Sequence, residues 1–99
     1  MRGLIWYSYQ KDIGLKQFKR ICDGYKRLNI ACNRSYENSV QIFAEFENGD
    51  VWQVVPATDT SRGHACNVAY IDRSIPKITI DTIIMPCIKA PPYRAYNYY

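Results

Sequence analysis

Residues 41–56, QIFAEFENGDVWQVVP, are the stretch on which the fold turns. Apolar Val40, Ile42, Ala44 and Phe46 alternate with Gln41, Phe43 and Glu45, the two-residue period of a strand with one face in a core. Asn48 and Gly49 both tolerate positive φ, so the pattern predicts a tight hairpin with a type I′ turn. Residues 51–55 then return antiparallel, and Pro56, which has no amide to donate, ends the pairing. A loop over 57–65 holds a Ser61-Arg62-Gly63 turn. The short apolar run 68–71, closed by Asp72, suits a central strand.

Upstream, residues 4–9 (LIWYSY) are β-branched and aromatic, as a largely buried strand requires. Asp12 is placed to cap a helix whose apolar positions Leu15, Phe18, Cys22, Tyr25 and Leu28 recur at three and four residues. Lys16, Lys19, Arg20, Asp23, Lys26 and Arg27 fill its opposite face, and Asn29 is a plausible stop. Residues 33–38 are polar and turn-like. Residues 78–88 read two ways: their β-branched side chains favour a strand, whereas Ile80, Ile83, Ile84 and Cys87 fit a helical stripe. The ending 90–99 carries prolines and tyrosines and is expected to be an extended tail outside regular structure.

Ninety-nine residues support one domain. The expected architecture is α/β, a twisted sheet of about four strands in β-α-β-β-β order over 1–89, with a Pro/Tyr-rich tail over 90–99. One helix cannot cover both faces of such a sheet, so an apolar face is expected to meet a partner or a second copy of the chain. No apolar run is long enough to cross a membrane, and the start of the chain does not read as a secretory leader, so a cytoplasmic location is expected. The net charge of +4 suits an acidic partner or nucleic acid without demanding either.

Cys22, Cys32, Cys66 and Cys87 contain no C-x-x-C pair, and only His64 and Cys66 stand close together. Structural zinc normally draws two ligands from one turn, so reduced, mostly buried thiols are the expectation, with no metal and no cofactor. A His64–Cys66 nucleophilic dyad lacks a third, orienting group.

Taken in order, the Asn48-Gly49 hairpin, the Asp59-Thr60-Ser61-Arg62-Gly63 loop and the strand over 68–72 resemble the later part of the ATPase domain of phage large terminases, the motors that pump DNA into capsids. Residues 4–28 look like the strand and helix that follow the phosphate loop there. The resemblance implies a small phage-type protein and a short helix, ending near Pro86, for residues 78–88. It makes Asp72 the counterpart of the metal-side aspartate of those enzymes. Arg73, however, stands where their catalytic glutamate belongs, and G-x-x-x-x-G-K-[ST] occurs nowhere in the chain. Phosphoryl transfer needs both the amide cradle and a group to position water. The resemblance therefore implies a degenerate, non-catalytic relative.

Two groups of side chains remain as candidates for binding. Lys16, Lys19, Arg20, Lys26 and Arg27 on the helix, with Arg62 in the loop, could track a phosphate backbone, DNA or RNA. Tyr93, Arg94, Tyr96, Tyr98 and Tyr99 suit a protein interface or stacking on bases, though a tail folded back on the sheet edge accounts for them as well. The leading functional expectation is a protein that binds a host or phage protein or nucleoprotein machine, for instance as an inhibitor of a bacterial defence or replication enzyme. The alternative expectations are an accessory nucleic-acid-binding protein, or a residual nucleotide-binding subunit.

Overall fold

The computed structural model describes every residue except Val40, Asp59, Thr60 and Arg62. The elements run β1 (Arg2–Tyr7), α1 (Lys11–Arg27), β2 (Cys32–Glu37), β3 (Ile42–Phe46), β4 (Val51–Pro56), β5 (Val68–Asp72), α2 (Lys77–Thr79) and β6 (Arg94–Tyr98). α2 continues as a wide turn over Ile80–Ile84 and a tight one over Met85–Cys87. The molecule is α/β, with a mixed six-stranded sheet in the order β2-β3-β4-β1-β5-β6. β4, β1, β5 and β6 are parallel, and β2 and β3 extend the sheet antiparallel from β4.

The expected four strands thus become six, and both additions have a physical reason. Residues 33–38 were expected to turn, but most of them form β2. An edge strand with water on both faces needs no apolar alternation, and all of its residues are exposed. It is held by its ladder to β3 and by cross-strand pairs: Arg34 bonds Glu45 at 3.1 Å and lies over the Phe43 ring, which Tyr36 also meets. At the other edge the ending expected to be irregular forms β6, in register from Val68 opposite Arg94 to Asp72 opposite Tyr98. It satisfies a row of β5 backbone groups that would otherwise face solvent.

Helical segments pack on both faces of the sheet, although α1 covers β5 and β6 only in part. On one side α1 packs Phe18 over Ile5, Ala44, Val54 and Val68. On the other, Ile75, Ile83, Ile84 and Cys87 of the segment following β5 cover Leu4, Trp6, Val55, Ala69 and Ile71. The helical reading of residues 78–88 holds, with Pro86 inside the last tight turn.

Local details differ in smaller ways. α1 begins one residue before Asp12, behind an extended Gln10 that makes no side-chain cap, and Asp12 sits in the first turn, where its charge suits the helix dipole. Leu28 lies past the helix end and is 71% exposed, and Asn29 follows in the left-handed region at φ 58. The hairpin is not type I′: Gly49 alone has positive φ, and Gly49 N and Phe46 N donate to Phe46 O and Asp50 O. That pattern is a three-residue turn with a glycine bulge. Of the cysteines, Cys66 and Cys87 are buried, Cys22 is half-buried and Cys32 is exposed.

Candidate functional site

In a parallel sheet, ligands settle outside the carboxyl ends of the strands, at the point where successive helices switch faces. Here β1 and β5 lie side by side, and the helical segments that follow them cover opposite faces. Their carboxyl ends frame a depression of about 140 Å³ lined by Tyr9, Gln10, Ile13, Asp72, Ser74 and Tyr99. A second, of about 150 Å³, is lined by Ile13, Lys16, Arg20, Tyr98 and Tyr99. Sharing Ile13 and Tyr99, the two run on as one shallow groove between α1 and the end of the chain.

Asp72 forms the inner wall. It is wholly buried, and its carboxylate is engaged by its own chain: Oδ1 accepts from Ser74 N at 2.9 Å and from Ser74 Oγ at 3.0 Å, and Oδ2 accepts from Ser8 N at 3.4 Å. These bonds fix the turn after β5 and tie it to the end of β1. Arg73 is exposed, and its amide donates to Tyr98 O at 3.3 Å. Among the described residues, no three His, Cys, Asp or Glu side chains converge as metal ligands.

Part of each candidate binding group meets in the groove, Lys16 and Arg20 from the helix and Tyr98 and Tyr99 from the tail, whereas Lys26 lines the cavity between α1 and β2. Lys16, Lys19, Arg20, Lys26 and Arg27 are all exposed, and Lys16 and Arg20 stand on the groove wall. Arg20 Nη1 donates to Gln17 Oε1 at 3.3 Å, which aims the guanidinium along the helix. From the tail, Tyr99 is 71% exposed at the rim, whereas Tyr98 is buried and donates from its hydroxyl to Trp6 O at 2.8 Å. Burial and the nearby Asp72 carboxylate push the Tyr98 phenol far above its ordinary value. Tyr98 is therefore an anchor of the fold, and of the candidate tail residues Tyr93, Arg94, Tyr96 and Tyr99 remain in solvent. Arg62 lies outside the described residues.

Two aromatic residues that no local pattern singles out lie at this groove or beside it. Tyr9, just after β1, is 87% exposed at the mouth of the depression. Tyr70 of β5 lies between Trp52, at a ring-centroid distance of 5.7 Å, and Tyr96, at 5.3 Å. Strand alternation marked Tyr70 as facing opposite to Ala69 and Ile71, but which helix covered that face was not legible.

Thiols and one imidazole make up the remaining candidate chemistry. Cys66 is pushed up to about 11 by burial and then by Cys87, the wrong direction for a nucleophile. His64 packs edge-on against Trp6 at 6.4 Å, and burial together with Arg2 lowers its affinity for a proton. A larger cavity of about 370 Å³ opens between α1 and β2, beside Cys22 and Cys32. It is mainly apolar, and burial and then the neighbouring Cys32 push the Cys22 thiol up to about 11.

Comparison with protein-family models, with curated proteins and with solved structures finds no match for this chain.

Proposed function

We propose that the chain is a binding protein that acts without chemistry of its own, and that its working surface, the groove between α1 and β6, takes nucleic acid. One observation carries this reading: Lys16 and Arg20 of α1 line the same depression as Tyr99 of the tail. Cations for phosphate and an exposed ring for a base or sugar are the two elements of general nucleic-acid binding. Lys19 and Arg27 add positive charge along the helix, offset in part by the exposed Asp23 between them. The non-catalytic part of the proposal draws on Arg73, which stands where the resemblance calls for a glutamate, and on Asp72, whose oxygens already serve Ser8 and Ser74. A degenerate terminase-like ancestry fits both.

The test is binding of a labelled oligonucleotide across a salt series. Each phosphate contact to a single strand contributes a slope of about −0.7 in log K against log salt. Replacing Lys16 and Arg20 by alanine should weaken binding and flatten the slope by about 1.4, the sum of two such contacts. Affinity and slope unchanged in that double variant would sink the reading.

A second reading, docking onto a host or phage protein machine, is favoured by β2. This edge strand is exposed throughout and, among the described strands, pairs with β3 alone, which offers its other edge for strand addition by a partner. A pull-down from bacterial lysate separates the two readings: a discrete protein retained after nuclease treatment supports docking, and its loss with nuclease supports nucleic acid.

A further inference from the structure

α1 packs over β1 and β4 and leaves the β5–β6 end of the same sheet face only partly covered. Strand alternation and parallel register put Val68, Tyr70 and Asp72 of β5 on that face, beside Arg94, Tyr96 and Tyr98 of β6. Tyr98 is spent on its bond to Trp6, but Tyr96 is 44% exposed and Arg94 is exposed at the foot of the strand. The Tyr96 ring lies 5.3 Å from Tyr70 at an interplanar angle of 31°, and Tyr70 in turn leans on Trp52 and on Tyr98. Tyr96 is thus the solvent-facing end of a row of rings braced from the core, held on a strand rather than on a loop.

We propose that Tyr96, backed by Tyr70 and flanked by Arg94, is a stacking platform for the unpaired bases of a single-stranded nucleic acid whose phosphates run past Lys16 and Arg20. The proposal rests on the nucleic-acid reading above and narrows it to one class of ligand. Every base has a π-face that such a ring can meet, whereas in a duplex those faces are already stacked on one another, so a flat aromatic surface selects strand state and tolerates sequence. Charge agrees: the cations are on α1 and at Arg94, and the one carboxylate on this face of β5 and β6, Asp72, is buried at the far end and engaged by Ser8 and Ser74. A braced ring also loses little freedom when a base settles on it, which favours binding.

The experiment measures anisotropy of fluorescein-labelled oligothymidylate, oligouridylate and a blunt DNA duplex of equal length, with the wild-type chain, Tyr96→Ala, Tyr96→Phe and the Lys16→Ala/Arg20→Ala double variant. The expected result is tighter binding of both single strands than of the duplex. Tyr96→Ala should weaken single-strand binding about five- to hundredfold with the salt slope unchanged, and Tyr96→Phe should restore it. Because Tyr96 is partly exposed, a circular-dichroism melt is expected to show each variant folded; ultraviolet crosslinking of the unaltered protein to oligothymidylate, mapped to Tyr96 or Tyr70, is a second readout that needs no variant. Equal binding of duplex and single strand, or single-strand binding indifferent to Tyr96→Ala, overturns the platform while leaving the nucleic-acid reading in place. Binding of none of the three oligonucleotides at low salt overturns both.

Discussion

The indole of Trp52 on β4 lies directly across Gly3 of β1: a Cβ built at Gly3 would overlap Cζ3 and Cε3 of the Trp52 ring. The missing side chain lets the ring cross a whole strand and meet Tyr70 on β5, while its Nε1 donates to Tyr25 Oη at 2.9 Å. Gly3→Ala should therefore destabilise the protein by about 1–3 kcal/mol, the usual cost of overpacking a tight core. A urea titration followed by tryptophan fluorescence measures it, and an unchanged midpoint would show that the indole has room to move.

Tyr98→Phe removes the hydroxyl that bonds the Trp6 carbonyl across the sheet. The expected loss is about 1 kcal/mol, read from the same titration. Ending the chain after Tyr93 removes the whole of β6 and bares the edge of β5; the expected outcome is self-association, visible by light scattering.

Tyr25 Oη donates to Asp50 Oδ2 at 2.6 Å, and Asn48 Nδ2 donates to the same oxygen at 3.1 Å. Burial alone would raise Asp50, but these bonds and the amino terminus outweigh it and hold its carboxyl below the ordinary value of 3.8. The stability this contributes is present in full above that value and is lost as pH falls through the folded value. Asp50→Asn should therefore be less stable than wild type at pH 7, with the gap closing in acid.

The same pair acts at alkaline pH with the opposite sign. Burial, and next the hydrogen bond to Asp50, push the Tyr25 phenol from 10.0 up to about 12. A folded-state value raised in this way contributes stability that is complete below 10 and disappears as pH rises through 12. Tyr25→Phe should show a shallower alkaline loss of stability than wild type across that window, measured by urea midpoints at stepped pH.

Cys32 is exposed, Cys22 half-buried, and Cys66 and Cys87 buried. A maleimide should label Cys32 first and Cys22 slowly, and should reach Cys66 and Cys87 only in denaturant; peptide mass mapping identifies each. Fast labelling of Cys66 in the native protein would contradict the packing under the 77–87 segment.

The sequence alone determined those elements whose pattern is local. Ile42, Ala44 and Phe46 had to share a face because strand side chains alternate, and all three are buried. Phe18 and its helical neighbours had to form one stripe, and Asn29, expected as the stop, follows the cap residue Leu28 in the left-handed region. The apolar run before Asp72 had to be a strand flanked on both sides. That Arg73 follows Asp72 was equally plain without coordinates. Only the tertiary structure decided the two edge strands, because β2 and β6 are held by ladders to β3 and β5 and carry little apolar alternation of their own. It also decided where the tail goes. Tyr98 reaches Trp6 through a bond that spans nearly the whole chain, and no local pattern announces a partner so far away. The groove is of the same kind: Lys16 and Arg20 were visible as a charged helix face and Tyr99 as part of a tail, but their meeting depends on β6 docking beside β5, a long-range choice set by backbone pairing rather than by residue type.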